Sequence, residues 1–233
     1  LRKRLHLKAY RLSIVQHLTD ADKVVRKDFC KFLDFVIFSD ESTFHVSGKV
    51  NIDNCRIWGS ENPRVSLEHV RHSPKVIVFC ALSKERVYGP FFFMETTITG
   101  SVYLDLIPQL DEDDQEERVH FQQDGAPPHY LGEVREYLNA RFPGRWIGRA
   151  APIAWPPRSP DLTPLDSFLW GFVKDRVFVP PLPASVVELR PRITASVAEV
   201  TPEMLRSVWQ ETDYRWDVCS ITNEVTLNRN YPR

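Results

Sequence analysis

Phe35-Val36-Ile37-Phe38 is an uninterrupted apolar run, and a carboxylate, Asp40, stands two residues beyond it. A strand with no polar face is stable at the centre of a sheet covered on both sides, so the run calls for layers above and below it. The carboxylate adds a second constraint. A charged group at the edge of a hydrophobic scaffold is costly to bury alone and must face water or a cation. The same pairing recurs at Val119-His120-Phe121-Gln122-Gln123-Asp124. A third aspartate, Asp166, ends Ser159-Pro160-Asp161-Leu162-Thr163-Pro164-Leu165-Asp166 and falls in the first turn of a helix. Three converging carboxylates make an oxygen-rich site of the kind that holds magnesium.

The rest of the chain supplies the layers. Residues 1–34 read as helix, with Tyr10, Ile14, Val15 and Leu18 at helical spacing and Thr19-Asp20 capping a second stretch from Ala21 to Phe32. Thr43–Val46 reads as a strand before a turn at Ser47-Gly48, and Asn51–Pro63 as a loop around Trp58. Lys75–Leu82 is a further strand, and Gly89-Pro90 a break before Phe91–Met94. Thr99–Leu110 carries Val102, Leu106, Ile107 and Leu110 on one helical face. Asp111–Glu117 holds six acids and reads as an exposed turn. A strand at Arg118–Gln123, a helix at His129–Phe142 and a short strand at Trp146-Ile147 follow. Ala151–Pro164 is too rich in proline for regular structure, with Trp155-Pro156-Pro157 stiff and extended. Thr163 then caps a helix with Pro164 at its first position and a buried stripe of Leu165, Phe168, Leu169, Phe172, Val173 and Val177. Beyond Pro180–Pro183 a last helical region runs to about Arg215. Strands, helix, strand, helix, short strand and helix in that order describe an α/β domain with a mixed sheet.

At 233 residues, 42% hydrophobic and 12% aromatic, the chain suits one packed domain or a domain with an appendage. Its longest apolar runs are too short to span a bilayer, so no membrane partner is expected. No charged-then-apolar leader opens the chain, and Leu1 in place of Met marks the segment as a piece of something longer. Cys30, Cys55, Cys80 and Cys219 are widely spaced and form no CxxC pair, which reads as reduced thiols in an intracellular protein. The net charge of −1 hides an asymmetry: residues 1–34 carry nine Lys or Arg against four Asp, a balance of +5, leaving −6 on the rest. A basic arm beside an acidic body fits a phosphate backbone held near metal-binding carboxylates, and equally a solvated helix face.

Two divalent ions side by side activate the attacking oxygen and stabilise the leaving oxygen of a phosphodiester. Asp40 and Asp124, ending strands that could be neighbours, are placed to share one ion, and Asp166 approaches from a helix N-terminus. Taken singly, each is also what a turn or a cap requires. Asp161 is read as ordering its turn. Glu41 adjoins Asp40 but points to the opposite face of its strand, which suits a supporting role. His129 opens a helix after Asp124, where it can touch a phosphate or satisfy free N–H groups.

Phe-Ser-Asp-Glu-Ser-Thr-Phe at 38–44, Phe-Gln-Gln-Asp-Gly-Ala-Pro-Pro-His at 121–129 and Trp-Pro-Pro-Arg-Ser-Pro-Asp-Leu-Thr-Pro-Leu-Asp at 155–166 resemble the catalytic blocks of mariner-like transposases of the Tc/mariner superfamily. Val50-Asn51 to Trp58-Gly59, Gly89-Pro90-Phe91-Phe92, Thr99-Gly100 and Tyr103-Leu104 extend the likeness over roughly residues 10–180. The resemblance implies an RNase H-like fold, a mixed central sheet flanked by helices, with a catalytic and metal-binding triad of Asp40, Asp124 and Asp166. It implies Mg2+, with Mn2+ as a substitute, and Asp as third acid where Tc-type members use Glu. The implied partners are DNA, as transposon ends and target, and a second copy in a homodimer, in the nucleus. Strand cleavage and attack of the freed 3′-hydroxyl at TA dinucleotides are the implied reactions. Gly125 departs from the Asn of many members, and 41 residues separate Asp124 from Asp166 (166 − 124 − 1), a longer gap than in the best-known mariner members. The expected division is a basic helical linker over 1–34 left from a DNA-binding region, a catalytic domain over 35–180 and a helical extension over 181–233. The competing expectation is an inactive or host-adopted remnant that binds DNA without cutting it.

Overall fold

The computed structural model describes residues 35–48, 73–95, 97–108, 118–156 and 159–222, with side chains as far as Asp217. The helices expected over 1–34, the Trp58 loop and the acidic run Asp111–Glu117 lie outside the described residues.

Among the described residues six strands form one sheet: β1 (Val36–His45), β2 (Lys75–Leu82), β3 (Val87–Phe92), β4 (His120–Gln122), β5 (Trp146–Gly148) and β6 (Ile153–Ala154), in the order β3-β2-β1-β4-β5-β6. The first three pair antiparallel, while β1, β4, β5 and β6 run parallel. The sheet is therefore mixed, as its sequence order implied. Between strands lie α1 (Gly100–Leu106) and α2 (Gly132–Arg141), and after them α3 (Trp170–Val177), α4 (Val186–Ala198) and α5 (Pro202–Thr222).

Alternation along β1 divides the interior in two. Val36, Phe38 and Phe44 join Val78, Cys80 and Leu82 under α3, α4 and α5, through Leu169, Val173, Ile193, Trp209 and Trp216. Ile37 faces the other way, with Phe79, Tyr103, Phe121, Leu138 and Trp146, under α1 and α2. The segment after residue 181 thus supplies part of the same core as Phe38, whose ring meets Trp209 and Trp216 edge-on at 5.9 Å each.

Several elements depart from expectation, each for a local reason. Val36–Phe38 and Thr43–His45 belong to a single strand, with exposed Phe35 and the turn residue Val46 just outside it, because β2 pairs without a break from Phe38↔Leu82 to His45↔Lys75. Asp40 is accordingly mid-strand and not at a strand end. Helix α1 is shorter than Thr99–Leu110, since Pro108 cannot donate to a continuing helix; Thr99 does cap it, accepting from Val102 N at 3.4 Å. The helix expected from His129 begins at Gly132, after a 3₁₀ turn over Pro127–Tyr130 that ends on the extended Leu131. Ile153-Ala154 forms the edge strand β6 inside the proline-rich block, where no regular structure was expected, by pairing with Ile147-Gly148. The final helical region is two helices, divided at Glu199–Thr201 ahead of Pro202.

Candidate active site

β1 and β4 are parallel neighbours with Phe38 opposite Gln122. Asp40 and Asp124 each lie two residues past that matched pair, and β4 ends at Gln122, so β1 continues beside an open crevice. Crevices at the carboxyl ends of parallel strands are where open α/β sheets bind ligands. Ser39 Oγ closes the seam below by donating to Gln122 O at 2.7 Å. Asp166 reaches the same crevice from Leu165–Leu169, a π-helical turn that leads into α3. The three aspartates line one cleft of about 680 Å³ together with Ser39, Gln122, Arg149, Trp155 and Thr163. Asp161 is not among the lining residues, as its turn role implied.

Each carboxylate has a donor from the protein. Trp170 Nε1 donates to Asp40 Oδ2 at 2.7 Å, and Thr163 Oγ1 to Asp166 Oδ2 at 2.8 Å. Thr163 therefore orients the carboxylate and does not cap the helix with its side chain, as had been expected. Ala126 N donates to Asp124 Oδ1 at 2.9 Å, and His129 Nδ1 shares that oxygen at 2.6 Å. The other ring nitrogen of His129 lies 3.1 Å from Glu41 Oε1. Glu41 thus sits on the opposite face from Asp40 and reaches Asp124 through one imidazole. Below it, the Tyr103 ring packs on His129 with centroids 4.1 Å apart.

The charges follow from this wiring. Burial, then the negative charges of Asp166 and Glu41, push the Asp40 carboxyl well above the usual range, against the Trp170 hydrogen bond. Burial also works against ionised Asp124, but the His129 hydrogen bond and charge outweigh it and hold the carboxyl below its usual value. Burial likewise disfavours charged His129; its bonds to Asp124 and Glu41 win and raise it to about 10, so it is an imidazolium at neutral pH. Lys174, one turn beyond Trp170, is lowered by burial, against the opposing pull of Asp166 and Asp40. Cys80, opposite Asp40 on β2, is a buried free thiol raised by burial and by that carboxylate.

Among the described residues, no three metal-ligating side chains are gathered tightly enough to hold a single ion as they stand. The local donors explain this, since His129 draws Asp124 toward Glu41 while Trp170 holds Asp40. Trp170, Lys174, Gln122 and Arg149 were not singled out in the sequence, and Thr163 was read only as a helix cap. Trp170 and Lys174 follow Asp166 by four and eight residues, a spacing that a helix face could have suggested, whereas Arg149 comes from a different loop.

Comparison with known proteins supplies the family. A search of curated proteins gave no match. Among solved structures, the chain is similar to the catalytic domain of Mos1 mariner transposase, at TM-score 0.66 and 17% identity over 93% of this chain and 100% of that one. It is similar also to the mariner Mos1 paired end complex with Mg, at TM-score 0.70 and 18% identity, covering 97% of this chain and 69% of that one. The Mos1 strand transfer complex matches at TM-score 0.67 and 18% identity, covering 95% and 67% respectively. These likenesses establish the RNase H-like fold. The family model described as DDE superfamily endonuclease matches residues 35–189, well over half of the chain and all three aspartates, and the chain belongs to that family.

Proposed function

We propose that this chain is the catalytic domain of a mariner-type transposase, cutting DNA strands hydrolytically and joining the freed 3′-hydroxyl to target DNA. The observation that carries the reading is the meeting of Asp40, Asp124 and Asp166 at one cleft, from a central strand, the loop after its parallel neighbour and a helix start. A divalent metal fits this donor set. The oxygens are hard ligands from three separate elements; burial and then the repulsion of Asp166 and Glu41 raise Asp40, and a cation relieves that repulsion. The Gln122 amide also lines the cleft, 1% exposed, with neither of its polar atoms partnered among the described residues.

Asp40 and Asp124 would hold one ion and Asp166 would complete a second, with Mg2+ as the physiological metal and Mn2+ as a substitute. When bound, such ions activate the attacking oxygen and stabilise the leaving oxygen of the phosphodiester. The protein's own task is placement. Trp170 and Thr163 hold Asp40 and Asp166 in fixed rotamers, and the Glu41–His129 pair orients Asp124. Transposon ends and target DNA are the proposed partners, with a second copy of the chain in the active complex and the nucleus as its compartment.

Nicking of transposon-end DNA with and without Mg2+, alongside Asp124→Ala, tests the reading. Metal-dependent cleavage that disappears in the variant is expected. Cleavage unchanged by the substitution sinks the mechanism, and DNA binding with no cleavage under any metal favours a remnant that has kept only the fold.

A further inference from the structure

The acidic cleft poses a problem for a polyanionic substrate, and one wall of it is oppositely charged. Arg149, in the loop between β5 and β6, lines the cleft with the three aspartates. Its guanidinium lies 4.7 Å over the Tyr130 ring, and the Arg135 guanidinium lies 4.6 Å over the same ring. Among the described residues neither arginine forms an ion pair with a carboxylate, and Arg135 Nε is buried without a hydrogen-bond partner. Two cations share one aromatic ring, and no anion among the described residues pairs with them. Guanidinium groups stack on rings and bind phosphate through paired N–H donors, so this arrangement leaves its donors for an oxyanion.

The backbone is shaped around the same side chain. A Cβ on Gly125, the residue after Asp124, would stand 3.5 Å from Arg149 Cβ and 3.6 Å from its Cδ, ordinary contact distances, so the arginine stem lies alongside the loop of the second aspartate. Ala150 takes φ 55°, a left-handed conformation costly for a residue with a side chain. The strain falls at the turn that presents Arg149. The Gln122 amide, without a partner among the described residues, lies in the same cleft and offers a further donor.

We propose that Arg149, braced by Tyr130 and Arg135, grips the phosphate backbone of DNA at the mouth of the carboxylate cleft, a role that rests on the endonuclease reading above. The grip supplies affinity without sequence preference, because it engages phosphate and not base edges.

Fluorescence anisotropy of the full chain on a labelled random-sequence duplex, in chelator and over a salt series, tests this apart from cleavage. Arg149→Ala should weaken binding about tenfold and reduce the slope of log affinity against log salt by about one. Arg149→Lys should restore the slope but only part of the affinity, since a point charge neither stacks nor binds bidentately. Tyr130→Leu should lower affinity while leaving the slope unchanged. Arg149 is exposed, so its variants should melt with the wild type, which separates lost contact from lost fold. Wild-type affinity and slope in Arg149→Ala, or no DNA binding by the wild type, overturns the proposal. A slope change in a protein that never cleaves would uphold the grip while the endonuclease reading fell.

Discussion

His129 and Asp40 meet their surroundings in opposite ways, and each makes a measurable claim about stability. The His129 imidazolium is clamped between Asp124 and Glu41 and raised from 6.5 to about 10. A raised histidine contributes fully below its ordinary value, and the contribution is lost as pH rises through the folded one. Wild-type stability should therefore fall between pH 6.5 and about 10 relative to His129→Gln, which lacks that slope. Urea unfolding across this range reads the difference, and parallel curves for the two proteins would refute the clamp. Asp124, lowered, adds stability above its ordinary 3.8 that is lost on acidification. Asp40 is the reverse case, a carboxylate crowded by burial, Asp166 and Glu41. Asp40→Asn keeps an acceptor for Trp170 and removes the repulsion, so the metal-free protein should gain about 1 kcal/mol, about 2–4 °C in melting temperature, while losing cleavage. A drop in melting temperature would show that the charge is not strained.

At the scale of elements, the turn Leu165–Leu169 does the most with the fewest residues. Its π-helical winding sets Asp166 at the cleft while Leu165 and Leu169 stay in the core, and the Trp170 indole that follows reaches Asp40. Such one-turn irregularities recur at functional sites because they re-aim side chains without unseating the helix. Trp170→Phe preserves the ring against Phe44, 6.2 Å away, but leaves Asp40 without its indole donor. The expected cost is about 1–2 kcal/mol in denaturant unfolding, with a larger loss in cleavage rate than Phe44→Leu produces. Equal effects of the two substitutions would mean that the tryptophan matters only as packing.

For the whole molecule, β1 and the C-terminal helices share one core. Trp209 and Trp216 from α5 close over Phe38, two residues before Asp40, so truncation ahead of Pro202 should unfold the chain and not merely shorten it. Trp216→Ala alone should cost about 3–5 kcal/mol, seen as an early thermal transition. The proposed metal ligands come from three elements, so metal binding would also be a property of the assembled fold. Mg2+ should raise the wild-type melting temperature in a dose-dependent way, equivalent to about 2.7 kcal/mol at a hundred times its dissociation constant, and should do so far less in Asp166→Asn. A metal-independent melting temperature in the wild type would remove the basis for the site.

Much of this was legible in the chain before any folding. The apolar run, of which Val36–Phe38 enter the strand, forecast a central strand, the order of elements forecast a mixed sheet, and the apolar runs and helix start beside Asp40, Asp124 and Asp166 marked them as candidates that the family resemblance made a set. These are local properties: periodicity and the intolerance of apolar interiors for charge act within a few residues. What the sequence did not disclose depends on partners distant along the chain. The polar Ser39–Ser42 segment stays a strand only because β2 pairs along it, and β6 exists only because β5 lies beside it. The contact of Glu41 with His129 spans 88 residues, and that of Trp170 with Asp40 spans 130. Hydrogen bonds and charge act through space, so the residues that could bear the chemistry were written in the chain, while the groups that hold and tune them were decided when the sheet brought distant segments together.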